Sequence, residues 1–176
     1  MVPEAPLEEN GVGLAPTREG WFVLNARDAR WRDRPGRGLA TPFEGEYELP
    51  QVGVRLYVLG PGEPMGMYHW EAGQEDFLVV SGEGLLLVEG EERPLRQWDL
   101  VHCPPGTKHM IVGGPCVVVA TGARGFEQGG VWGGYSPDEA AARHGVSVER
   151  ETSDAEEAYA KWADVEPTRY RDGLLP

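Results

Sequence analysis

From Val52 onward the chain alternates. Val52, Val54, Leu56 and Val58 fall on one side of an extended segment, with Gly53, Arg55 and Tyr57 on the other. Successive residues of a strand face opposite ways, so this pattern predicts a buried apolar face and a mixed one. Similar short runs recur at 67–71, 75–80, 85–89, 94–98, 99–103, 108–112 and 116–121. Between them lie Gly- and Pro-rich punctuation marks, at 60–64, 81–84, 90–92, 104–107 and 113–115, which read as turns. About eight short strands separated by turns predict an all-β sandwich or barrel. Strands do not alternate with long helical patterns, which argues against a parallel doubly wound sheet.

The flanks read differently. Residues 1–19 lack periodicity and are expected to form a flexible leader, with the first strand-like run at 21–24. Residues 25–42 carry Arg27, Arg30, Arg32, Arg34 and Arg37 beside Asp28 and Asp33. Two readings stand for this stretch. One is a solvated loop. The other is a loop folded over a pocket mouth, anchored by Trp31, that supplies an arginine to an anionic substrate. The division expected is a leader at 1–19, a β-barrel at 20–125, and a strap with a helical C-terminal extension at 126–176, packed on the barrel. The strap is Gly-rich and aromatic, with Phe126, Trp132 and Tyr135. Ser136-Pro-Asp-Glu139 reads as a capping box that opens a short helix ended by Gly145. Ser153-Asp-Ala-Glu156 opens a second, expected to run to about 162 with Ala155, Ala158, Tyr159 and Trp162 on one face. Packing or a subunit contact is the expected role of that face.

Composition narrows the classes. A net charge of −13 repels phosphate backbones, which argues against a nucleic-acid partner. Two cysteines make no disulfide scaffold, no secretory apolar region follows Met1, and no apolar run approaches bilayer length. The expectation is a soluble cytoplasmic protein with no membrane partner. Arg outnumbers Lys 14 to 2, to which no mechanism is attached.

The chemistry concentrates in one stretch. His69 and Glu71 are two apart on a predicted strand, so they share a face while Tyr68 and Trp70 take the other. The Ala72-Gly73 break lets Glu75 return to the same site, and His109 arrives on a later strand after a Pro-Gly turn. Two imidazoles with one or two carboxylates are suitable ligands for a first-row divalent ion, and two His plus one carboxylate is the non-haem iron pattern. Gln74 is a further oxygen donor. His102 reads as a rim residue, Cys103 and Cys116 as small core hydrophobes, and His144 as a cation at a helix C-terminus. Tyr57, Met65, Met67 and Trp98 are either pocket lining or ordinary packing.

These residues resemble the two motifs of the cupin family. His69, Glu75 and Gly82 match the first motif, whose opening glycine lies one place early at Gly62 and whose second histidine is Glu71 here. Pro104, Gly106 and His109 match the second, and its following asparagine is Gly113 here. The resemblance covers about 60–120. It implies a small cupin-type β-barrel, a double-stranded β-helix or jelly roll. It further implies one divalent metal ion (Zn, Mn, Fe or Ni) held by His69, Glu75 and His109; Glu71, standing where the family has its second histidine, is either a further ligand, a solvent-facing carboxylate, or an acid or base in the pocket. The implied function is a metal-binding protein acting on a small molecule, with isomerase and dioxygenase as the enzyme classes. The alternative is a non-catalytic binding or sensor module. A homodimer is expected from the family and from exposed-edge logic.

Overall fold

The computed structural model describes residues 1–125 and 131–176. A small hairpin comes first, β1 (Leu7–Glu9) against β2 (Leu14–Pro16). It lies within the stretch expected to be an aperiodic leader. The strand expected at 21–24 does not form; Trp21 makes only an isolated bridge to Glu4.

The remaining strands belong to one antiparallel system. They are β3 (Trp31–Asp33), β4 (Leu39–Thr41), β5 (Val52–Leu59), β6 (His69–Glu71), β7 (Glu75–Val88), β8 (Glu91–Arg96), β9 (Leu100–Cys103), β10 (His109–Ala123), β11 (Gly133–Tyr135) and β12 (Glu166–Thr168). Their path runs β11-β6-β10-β5-β4-β3-β12, and β7 pairs with β10, β8 and β9. The all-β architecture expected from the sequence is the one observed.

Two expected turns are not turns. The segments 75–80 and 85–89 fuse into the single long strand β7, and 108–112 and 116–121 fuse into β10. The glycines between them face each other as register shifts in the β7–β10 ladder. At this bulge Gly82 has φ 75°, and a Cβ there would collide with the Pro115 carbonyl. Glycine punctuation here bends two paired strands rather than ending them.

Both faces of the alternating strand β5 are covered. Leu56 and Val58 pack outward with Trp31, Leu39 and Val117 in an outer layer closed by Tyr170, Leu174 and Leu175. Tyr57 and Leu59 pack inward with Phe77, Val79, Leu87 and Val118. The strand's mixed face, Gly53, Arg55 and Tyr57, lines a cavity.

The C-terminal helices are α1 (Glu139–Arg143) and α2 (Ala155–Tyr159). Asp138, not Ser136, caps α1, accepting from the Ala141 amide. Asp154, not Ser153, caps α2. The second helix stops at Tyr159, short of Trp162, which closes a turn back to it. No described helix is long and apolar enough to cross a membrane.

Candidate metal centre

Three strands bring the centre together. His69 opens β6 and pairs directly with His109, which opens β10. Glu75 opens β7 opposite Gly122 of β10. All three side chains point into a cavity of about 380 Å³, a size suited to a small organic ligand.

The imidazoles are oriented by one repeated device. His69 Nδ1 lies 2.9 Å from the Met67 carbonyl, and His109 Nδ1 lies 2.9 Å from the Thr107 carbonyl. A carbonyl only accepts, so each Nδ1 carries the proton and donates. In the neutral ring this leaves each Nε2 with its lone pair. Nε2 of His109 stands 3.2 Å from Glu75 Oε2, and Nε2 of His69 stands 3.6 Å from the same oxygen. Glu75 Oε2 and His109 Nε2 are nevertheless buried without a hydrogen bond. One ligand atom from each of the three residues lies within 4.8 Å of the others. Buried polar atoms are seldom left unpaired. Three donor atoms that converge in this way fit a divalent cation between them, and the backbone bonds at Nδ1 are the outer support such ligands receive.

The electrostatics of the three side chains show what an ion would compete with. Burial opposes charge on His109, but the Cys103 thiol and the Glu75 carboxylate outweigh it, and the imidazolium is pushed up to about 10. Burial raises Glu75, yet His109 and His69 hold it below the ordinary carboxylate range. Proton and metal compete for one nitrogen.

Glu71 does not join the three-atom group. It lines the same cavity, with Oε1 3.7 Å from His69 Nε2. His102 is exposed and paired to Asp76 at 2.7 Å, away from the cavity. Cys103 and Cys116 are buried in the core. Burial pushes the Cys116 thiol up to about 11. His144 caps α1 and meets Glu92 at 3.1 Å. Of the candidate lining residues, Tyr57 and Met65 do line the cavity. Met67 is buried beside Tyr135 and Ala158, while Trp98 is 67% exposed in a tight turn with φ 76°.

Residues 55–121 match the family model described as the cupin domain. The match marks this stretch as a cupin domain. Both motifs seen in the sequence fall inside that match. None of the curated proteins matches the chain. Among solved structures, the cupin chain is similar to a candidate sugar phosphate isomerase from Acidithiobacillus ferrooxidans, at 27% identity over 51% of this chain and 62% of that one, with TM-score 0.45. A sugar phosphate isomerase from Silicibacter pomeroyi matches at 26% identity over 56% of this chain and 62% of that one, with TM-score 0.44. The polyketide cyclase RemF from Streptomyces resistomycificus matches at 14% identity over 49% of this chain and 65% of that one, with TM-score 0.43. The matched part spans about three-fifths of the first two.

Segments outside the cupin domain complete the cavity. Arg34 and Arg37, from the turn between β3 and β4, are both buried and line it. The solvated-loop reading of 25–42 therefore fails at these two residues, and Trp31 is fully buried in the outer layer with Leu39, Leu56 and Val117. Trp132 and Tyr135 of the strap lie beside His69, with ring centroids at 6.3 and 6.1 Å. Burial and the nearby Tyr159 hold the Tyr135 hydroxyl well above its ordinary value. Tyr159 of α2 also lines the cavity, although its helix carries no sign of chemistry in the sequence. Phe126 lies outside the described residues.

Proposed function

We propose that this cupin binds one divalent metal ion through His69, Glu75 and His109 and acts on a small organic molecule in the cavity. The observation that carries this reading is the convergence of one ligand atom each from His69, Glu75 and His109 within 4.8 Å, with both imidazoles oriented through Nδ1 in the same way. A bound ion supplies Lewis acidity toward a carbonyl or enolate oxygen, suited to isomerisation, or oxygen chemistry if it is iron. Glu71 is in this reading the carboxylate that moves a proton on the substrate. It stands beside the ligand set, and its companion Glu75 is committed to the metal. Trp132 and Tyr135 shield His69 from bulk water.

Elemental mass spectrometry of protein purified without added metal or affinity tag tests the reading. About one equivalent of a single metal is expected in the wild type and none in His109→Ala. Absence of metal in the wild type after reconstitution would overturn it.

A binding or sensor module is the second reading. It is favoured by the cavity's wealth of side chains that hold ligands, such as Arg37, Tyr57 and Trp132, against the single free carboxylate of Glu71. Ligand-induced thermal stabilisation without turnover would select it.

The assembly in this reading is a homodimer in the cytoplasm. Leu100 on the edge strand β9 and Trp98 in the turn before it, each 67% exposed, support a contact there. A monomeric mass by light scattering would refute it.

A further inference from the structure

A protein of net charge −13 gathers Arg32, Arg34, Arg37, Arg55 and Arg124 around one cavity. Their present partners separate them by role. Arg124 is held by Glu44 at 2.8 Å and by the Leu49 carbonyl at 2.7 Å. Arg34 is held by two carbonyls, those of Arg37 and Met65, and stacks on Tyr57 with 5.1 Å to the ring centroid. These two fasten loops to the sheet. Arg32 is exposed.

Arg37 and Arg55 remain. Arg37 is 7% exposed, and its guanidinium lies over Tyr159 at 4.8 Å and Trp162 at 5.0 Å. Its Nε is buried and makes no hydrogen bond. Arg55 is solvent-accessible inside the cavity and reaches only the Tyr57 hydroxyl, at 3.5 Å. Among the described residues neither has a carboxylate ion-pair partner, although Arg124 on the same cavity does. A buried cation with an unpaired donor is costly unless an anion meets it. Arginine presents a planar fork that matches carboxylate and phosphate oxygens. The aromatic pair under Arg37 fixes that fork in place.

We propose that the ligand of this cavity carries an oxyanion, a carboxylate or phosphate group, received by Arg37 and Arg55. The remainder of the molecule reaches His69, Glu75 and His109. This inference rests on the small-molecule reading above and adds the substrate class. The arginine pair holds the anionic end, so the reacting end is presented to the metal centre in one orientation.

Isothermal titration calorimetry with inorganic phosphate and with succinate, at fixed ionic strength, tests it. The titrations use metal-loaded and metal-free wild type, Arg37→Met, Arg55→Met, and Arg93→Met as a control off the cavity. The wild type is expected to bind at least one probe saturably. Arg37→Met and Arg55→Met each weaken that binding about tenfold or more, while Arg93→Met does not. Preference for phosphate over succinate assigns a tetrahedral anion, and the reverse a planar one. Arg55 is solvent-accessible, so its variant keeps the test decisive if Arg37→Met fails to fold. No binding of either probe, or equal binding in both cavity variants, overturns the proposal. Binding that needs metal and ignores both arginines also overturns it, but leaves the metal reading standing. Arginine-dependent binding to a protein that takes up no metal supports this proposal and refutes the metal reading.

Discussion

His69 and His109 are direct partners across the β6–β10 pair, with ring centroids 5.0 Å apart. Each ring is tied through Nδ1 to the carbonyl two residues before it. The two strands therefore present the same nitrogen to the same space, and Glu75 enters from a third strand.

That relationship predicts metal-linked stability. Free metal at about 100 times Kd is expected to raise the wild-type unfolding free energy by about 2.7 kcal/mol. His69→Ala and His109→Ala should each abolish the gain, and Glu71→Gln should keep most of it, because Glu71 stands outside the three-atom group. Urea unfolding with and without zinc measures this. A loss in Glu71→Gln equal to that in His109→Ala would make Glu71 a full ligand.

The buried Cys116 predicts a pH dependence. Its thiol is raised by burial from an ordinary 9.0 to about 11. Below about 9 it is protonated both folded and unfolded, and it costs nothing. As pH climbs from 9 towards 11, the unfolded chain gains by ionising and the native state does not, so stability falls across that window. The fall should be shallower in Cys116→Val. Folded wild type should also resist iodoacetamide at this position at pH 8.

The first helix separates two caps. Asp138→Ala is expected to cost about 1 kcal/mol, because its side chain satisfies the Ala141 amide. Ser136→Ala should be near neutral, since the Ser136 hydroxyl is buried without a partner. Thermal melts of the two variants decide between Asp138 and the Ser136 capping box suggested by the sequence.

Two glycines of equal φ separate strain from collision. Gly62 and Gly82 both have φ 75°, and a Cβ on Gly62 would meet nothing. Gly62→Ala should cost about 1–2 kcal/mol from the left-handed backbone alone. Gly82→Ala should cost clearly more, because the Pro115 carbonyl occupies the space. Equal losses in chemical denaturation would place no close approach at the bulge.

Local spacing made the candidate metal centre legible. The two-residue strand period put His69 and Glu71 on one face, and the Ala72-Gly73 break returned Glu75 to it. The arginines were harder to read. Arg34 and Arg37 lie in a turn whose aromatic partners, Tyr57 and Tyr159, are far from it in sequence. Arg55 sat on the mixed face of β5, which alternation marks as polar without saying whether water or a cavity receives it. Gly82 and Gly113 looked like turns because a bulge and a turn ask the same freedom of glycine. Ser136 and Asp138 are both good caps, and sequence alone does not say which amides stay unpaired.

His69, Glu75 and His109 lie within residues 55–121, as does Arg55, whereas Arg37, Trp132, Tyr135 and Tyr159 come from either side of that block. The wall of the cavity is therefore shared between that block and the segments on either side of it. A change confined to the flanks would reshape the cavity wall and leave His69, Glu75 and His109 converging as they do.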